Sequence, residues 1–219
     1  LSFMMEYFVT NPTRFKNVLI EYKNCAINGF SCVAYCVRNR LTETVKLLIE
    51  NECKIDCRGH LAFDCIDMHD YDVLGMLIDR GVDLNDVTNY DRASLINYVI
   101  DNDVHYKTTR GLEFLLERKA VNVNYPDAHS VFPIMKACIL NSTMHAYMLI
   151  QAGANVNIDS HFGHGLPIFK AIENNSLGMV KGGARLNVRN RDQTPLQRSV
   201  KLKHNDIASY LNKVIRNAP

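Results

Sequence analysis

No stretch of the 219 residues approaches the roughly 20 uninterrupted apolar side chains that a membrane-spanning helix needs. The opening LSFMMEYFV is apolar but short, and Glu6 interrupts it. A positively charged segment followed by an apolar one, the mark of a secretory signal, is also missing. Absent too are a G-x-S-x-G elbow, a glycine loop that would cradle phosphate, and a Cys–His pair with an orienting third group. These absences argue against membrane insertion and against catalysis, so we expect no enzyme, no cofactor and no metal. Because the chain opens on Leu and not Met, its true N-terminus is expected to be missing.

What is present suits a globular protein. The apolar fraction of 47% is ordinary, and the length allows one large domain or two small ones. Seven cysteines make an odd set, six of them before residue 66. Secreted disulfide scaffolds are shorter and denser in Cys, so a reducing, intracellular compartment, cytoplasmic or nuclear, is expected. The net charge of +2 hides an uneven distribution: Asp56 to Asp103 carries −8, and Val180 to the end carries +7. Such polarity bears on partners, not on fold.

One phrase recurs. Gln151 to Asn157 reads QAGANVN, and weaker copies stand at Arg80 to Asn85 (RGVDLN), Lys119 to Asn124 (KAVNVN) and Gly182 to Asn187 (GGARLN). Each follows a helical apolar patch, and Asn124 to Asn157 spans 33 residues. A fixed period of this size signals an array of helix-turn-helix units. Within the best copy, Pro133 suits the first turn of a helix, a second helix runs from Met144 to Ile150, and Gly153 closes it.

These residues resemble the ankyrin repeat, whose pattern runs G-x-TPLH-x-A and then V-x-x-LL-x-x-GA-D-V-N. Gln193-Thr194-Pro195-Leu196-Gln197 is the nearest copy of the first half and MLIQAGANVN of the second. Diverged first halves recur at Gly29 to Cys36, Ala93 to Tyr98 and Leu166 to Ala171; diverged second halves recur at Val45 to Ile49, Leu74 to Ile78 and Phe114 to Leu116. The resemblance implies an all-α ankyrin-repeat solenoid of stacked helix-turn-helix units with projecting β-turn loops and helical caps. We divide it into an N-terminal helical cap (1–27), about five repeats (28–187) and a C-terminal capping repeat (188–219), forming one continuous domain.

Unit lengths vary. The unit ending at Asn85 falls 29 residues after Asp56, while the next takes 39, with its additional residues expected in a loop between 101 and 110. The unit ending at Asn187 lacks about four residues after Val180. Either a helical turn is deleted there, or a segment is omitted and its ends are joined. Irregular lengths of this kind are compatible with a fast-diverging viral or invertebrate protein.

Cys32 and Cys36 lie four apart, and Cys53 and Cys57 repeat the spacing near His60, so four thiolates could in principle hold zinc. Alignment of the units offers a plainer account. Cys36 and Cys65 take the small-residue position of Ala137 and Ala171, and Cys53 takes that of Ala154, so packing explains them.

By position, the resemblance implies that the turns and first helices line a concave partner-binding groove. The turn residues selected are Tyr90, Arg92, His129, Val131, His161, Phe162, His164, Arg191 and Gln193. Beside them stand the helix positions Arg38, Asp67, Asp101, Ile139, Glu173 and Lys201. Tyr90 and Phe162 are the expected anchors, since large aromatics dominate interface energetics. The implied function is non-enzymatic protein binding by a monomeric adaptor or inhibitor. The alternative is a nucleic-acid or nucleotide-binding solenoid using Arg185, Arg189, Arg191, Arg198, Lys201 and Lys203. Only Tyr210 is present there to stack on bases, which favours a protein partner.

Overall fold

The structure, a computed structural model, describes residues 2–55, 60–85, 93–158, 165–182, 184–190 and 192–217. It divides into two compact units, residues 1–89 and 90–219, both built from short helices joined in pairs. Among the described residues no helix is long and apolar enough to cross a membrane.

In the first unit, α1 (Ser2–Val9) and α2 (Lys16–Glu21) are separated at Asn11-Pro12. A hairpin follows in which β1 (Ala26–Ile27) pairs antiparallel with β2 (Phe30–Ser31). Asn28 and Gly29 between the strands have φ of 52° and 84°. Two left-handed residues make the hairpin turn whose twist matches its strands, and Asn-Gly adopts it most readily. The Ser31 Oγ then accepts the Ala34 amide at 3.2 Å and starts α3 (Cys32–Arg38). This helix pairs with α4 (Thr42–Glu50), and α5 (His60–Met68) pairs with α6 (Tyr71–Asp79).

In the second unit the pairs are α7 (Leu95–His105) with α8 (Arg110–Glu117), α9 (Pro133–Ile139) with α10 (Thr143–Gln151), α11 (Pro167–Glu173) with α12 (Leu177–Val180), and α13 (Pro195–Lys201) with α14 (Asn205–Arg216). Pro133, Pro167 and Pro195 each open a first helix, where the missing N–H has no partner to lose. Leu95, Leu112, Leu115, Met135 and Leu149 are completely buried between the pairs.

One hydrogen bond marks six of the pairs. Leu41, Asp70, Thr108, Ser142, Ser176 and His204 each donate their amide to the carbonyl five residues back, at 2.8–2.9 Å. The acceptors are Cys36, Cys65, Asp103, Ala137, Ala171 and Ser199. Just before each donor stands a residue with φ between 53° and 60°, which turns the chain into its second helix. Cys36 and Cys65 therefore do hold the positions of Ala137 and Ala171, and all four are buried. Cys53 matches Ala154 in the same way, their amides donating to the carbonyls of Leu48 and Leu149. Burial pushes the Cys53 thiol up to about 11 and the Cys138 thiol to about 12, so both stay protonated near neutral pH and pack as small apolar groups. Cys57, the fourth thiol of the zinc alternative, lies outside the described residues.

The recurring phrase has a local cause. Asp83, Asn122 and Asn155 each accept, on a side-chain oxygen, the amide two residues on, at 2.9, 2.9 and 3.0 Å. This turn is one that Asn and Asp make readily, and it buries the intervening Leu84 and Val123 in their units. The second Asn of the phrase reaches the next copy. Asn124 Oδ1 accepts the Asn155 amide at 2.7 Å, and Asn157 Oδ1 accepts the Arg185 amide at 2.7 Å.

The long unit departs from the sequence reading. Its additional residues do not all form a loop: α7 runs for 11 residues, against seven in α9, α11 and α13. The added turn brings Asp103, 1% exposed, to the carbonyl-acceptor position that Cys, Ala or Ser fills elsewhere. A carboxylate is tolerated there because the amides at the start of α8 bond to it, and that bonding rewards helix over loop.

Candidate functional site

Of the turn residues selected from the sequence, three are described. His129 is exposed at the tip of the turn before α9. The turn is pinned by Asp127, whose Oδ1 accepts the amides of His129 and Val131, both at 2.9 Å. Asn97, completely buried on α7, donates from Nδ2 to the Val131 carbonyl at 2.8 Å and to Asp127 Oδ2 at 3.1 Å. Val131 itself is only 8% exposed. Its backbone serves the turn, and its side chain belongs to the interior, not to the exposed surface. Gln193 is half-buried and bridges to Asn190 through paired backbone bonds of 3.0 Å. Tyr90, Arg92, His161, Phe162, His164 and Arg191 lie outside the described residues.

The first helices beside these turns carry charges that are already paired. In the first unit Arg38 on α3 donates to Asp64 on α5 at 2.8 Å, and its guanidinium lies 4.3 Å from the centroid of the Phe30 ring. In the second unit Lys136 on α9 meets Asp101 on α7 at 2.6 Å. Glu173 on α11 takes both Lys170, at 3.3 Å, and Arg198 from α13, at 2.6 Å. Arg198 also reaches Gln193 Oε1 at 3.4 Å. Asp101, Glu173 and Arg38 all stand on first helices, and each is engaged by a neighbouring helix.

Glu173 feels two opposed effects. Burial raises its pKa, while hydrogen bonds from Arg198 and Lys170 lower it, and the lowering prevails. Its charged form is therefore favoured by folding. The associated stability is whole above the unfolded glutamate value of about 4.3 and is lost as pH falls through the lower folded value. The gain is small because the pair is partly exposed. A carbon-detected titration of the Glu173 carboxyl should give a midpoint below the ordinary glutamate range. Combining Arg198→Gln with Lys170→Gln should raise that midpoint, and no movement would mean that the contacts are not made in solution.

The sequence reading missed a buried polar row that joins three helices. Asp103 Oδ1 accepts the Gly111 amide at 3.1 Å, and Oδ2 accepts the Leu112 amide at 2.9 Å. His145 on α10 places Nε2 3.4 Å from Asp103 Oδ2 and Nδ1 2.7 Å from Ser142 Oγ. An open cleft of about 610 Å³ lies alongside, lined in part by Thr108, Ser142 and His145. The connectivity is that of a nucleophile, base and acid. Its setting is that of a helix cap, because both carboxylate oxygens are committed to the first turn of α8 and the His145 ring is 2% exposed. We read the row as a lock between α7, α8 and α10. Gly111 makes room for it, since a Cβ there would fall 2.8 Å from Val99 Cγ1 and 3.0 Å from Asp103 Oδ1. The only trace in the sequence is the 39-residue spacing between Asn85 and Asn124.

No family profile matches the chain, and neither does any curated protein. Solved structures do resemble it. The ankyrin repeat domain of Bcl-3, described as a unique member of the IkappaB protein family, superimposes with a TM-score of 0.74 at 23% identity, over 94% of this chain and 95% of that one. The architecture is the ankyrin-repeat fold.

Proposed function

We propose that this chain is a non-enzymatic recognition module that holds a protein partner along its first helices and projecting turns, as an adaptor or an inhibitor. The observation carrying this reading is the turn at residues 127–131, which is held rigid by Asp127 and the buried Asn97 while His129 stands exposed at its tip. A preorganised turn presents side chains to a partner with little ordering cost. The paired charges beside it favour specificity over nonspecific attraction. Tyr90, Arg92, His129, His161, Phe162, His164, Arg191 and Gln193 form the contact set, with Tyr90 and Phe162 as anchors. A monomer in a reducing compartment suits the chain, because its described cysteines are free thiols and five of them are buried. The nucleic-acid alternative is weakened by the engagement of Arg198 with Glu173.

Affinity capture from cells that express the protein tests this reading. The fourfold variant Tyr90→Ala, Arg92→Ala, Phe162→Ala and Arg191→Ala should lose its principal protein partner by about 30-fold or more, the scale of at least one hot spot. Capture of every protein at parental yield, by a variant with parental circular dichroism, would refute it.

A further inference from the structure

A second surface lies on the second helices, away from the turns. α10 has nine residues but its neighbour α12 has four, ending at Val180. The last turn of α10 therefore has no helical turn beside it. Along the groove Met144, in the first turn of α10, and Tyr147, at its middle, are 60% and 58% exposed, and Ile150 in the last turn is half-buried. Together with Met179 they wall a mostly apolar groove of about 500 Å³. Gly178 and Gly182 lie along its α12 side. A Cβ on Gly182 would fall 2.6 Å from Ile150 Cδ1, and one on Gly178 would lie 3.1 Å from Thr143 Cγ2. The α12 backbone thus lies close against α10, and among the described residues Gly178 and Gly182 contribute no side chain there. Among the described residues, Lys181 is the one charged residue lining the groove. It is exposed, and its Nζ stands 5.4 Å from the centroid of the Tyr210 ring on α14, which holds the cation at the rim.

We infer that this groove docks an acidic amphipathic helix from a partner protein. A partner helix packing along α10 would cover the exposed Met144 and Tyr147 and lie over the turn that α12 lacks. Two aliphatic side chains four residues apart would enter between Tyr147, Ile150 and Met179, the usual anchoring of a helix in an apolar groove. A glutamate beside them would meet Lys181, which has no acidic neighbour among the residues lining the groove. The charge complement selects an acidic helix over a basic one.

The test uses the full chain with carbon-13 methyl labels on methionine. One probe is an 18-residue helical peptide with two leucines four apart, glutamate beside them and alanine or glutamine elsewhere; its twin carries lysine in place of glutamate. The glutamate peptide should shift the Met144 and Met179 methyl signals saturably. Lys181→Glu, at an exposed site, should weaken it at least tenfold and make the lysine twin the better ligand. Three outcomes would overturn the inference: no saturable shift, equal binding of both peptides whatever stands at 181, or shifts confined to other methionines. Movement of the same two signals on raising protein concentration alone, with a dimer in sedimentation, would also overturn it by making a second copy the occupant.

Discussion

Replacing Asp103 with alanine is expected to lower the unfolding free energy of the chain by about 3 kcal/mol, the scale for leaving buried donors without an acceptor. Three groups lose their partner at once: the Gly111 amide, the Leu112 amide and His145 Nε2. In the parent these groups are shielded from bulk water, since Asp103 is 1% exposed. Asp103→Asn keeps one oxygen as an acceptor but brings two N–H donors into the same space, so it should fall between alanine and the parent. Urea unfolding at pH 7 measures the order. If the alanine variant were within about 1 kcal/mol of the parent, the buried row would not be the lock described here.

Restoring the missing turn of α12 should have a comparably large effect in the opposite direction. Inserting Met-Leu-Ile-Gln after Lys181 copies residues 148 to 151 of α10. The inserted Leu then stands where Leu149, completely buried, stands in the preceding pair. Burying one such side chain is worth about 2 kcal/mol, and this should appear as a higher urea midpoint. The same insertion fills the recess beside Ile150 and Met179, so the acidic peptide should lose its methyl shifts at Met144. Greater stability with peptide binding intact would show that the groove and the missing turn are unrelated.

The two experiments act on features that differ in how far they could be read from the chain. The phrase Asn-Val-Asn was legible because its hydrogen bond closes over two residues, and its second Asn is bonded about one repeat length away. The apolar spacing of Val45-Lys46-Leu47-Leu48-Ile49 likewise places buried Val45, Leu48 and Ile49 on one helical face. Cys36 and Cys65 could be assigned to packing from register alone. Exposure of His129 follows from its place in the turn, while burial of Val131 depends on Asn97 donating to the Val131 carbonyl, which register alone does not show. The added turn of α7 was misread for a related reason: Asp101-Asn102-Asp103 is loop-like in composition, and its helical state depends on amides that arrive from α8.

The sequence by itself determined the repeat period, the helix pairs and the turn chemistry of this protein, because these depend on contacts within a few residues or on recurrence at a nearly fixed spacing. Only the tertiary structure decided which polar side chains are committed. Asp103 and His145 stand 42 positions apart, and Glu173 and Arg198 stand 25 apart. Whether such groups are free to bind a partner or are held by one another is set by burial and distance between helices, and neither quantity is written in any single repeat.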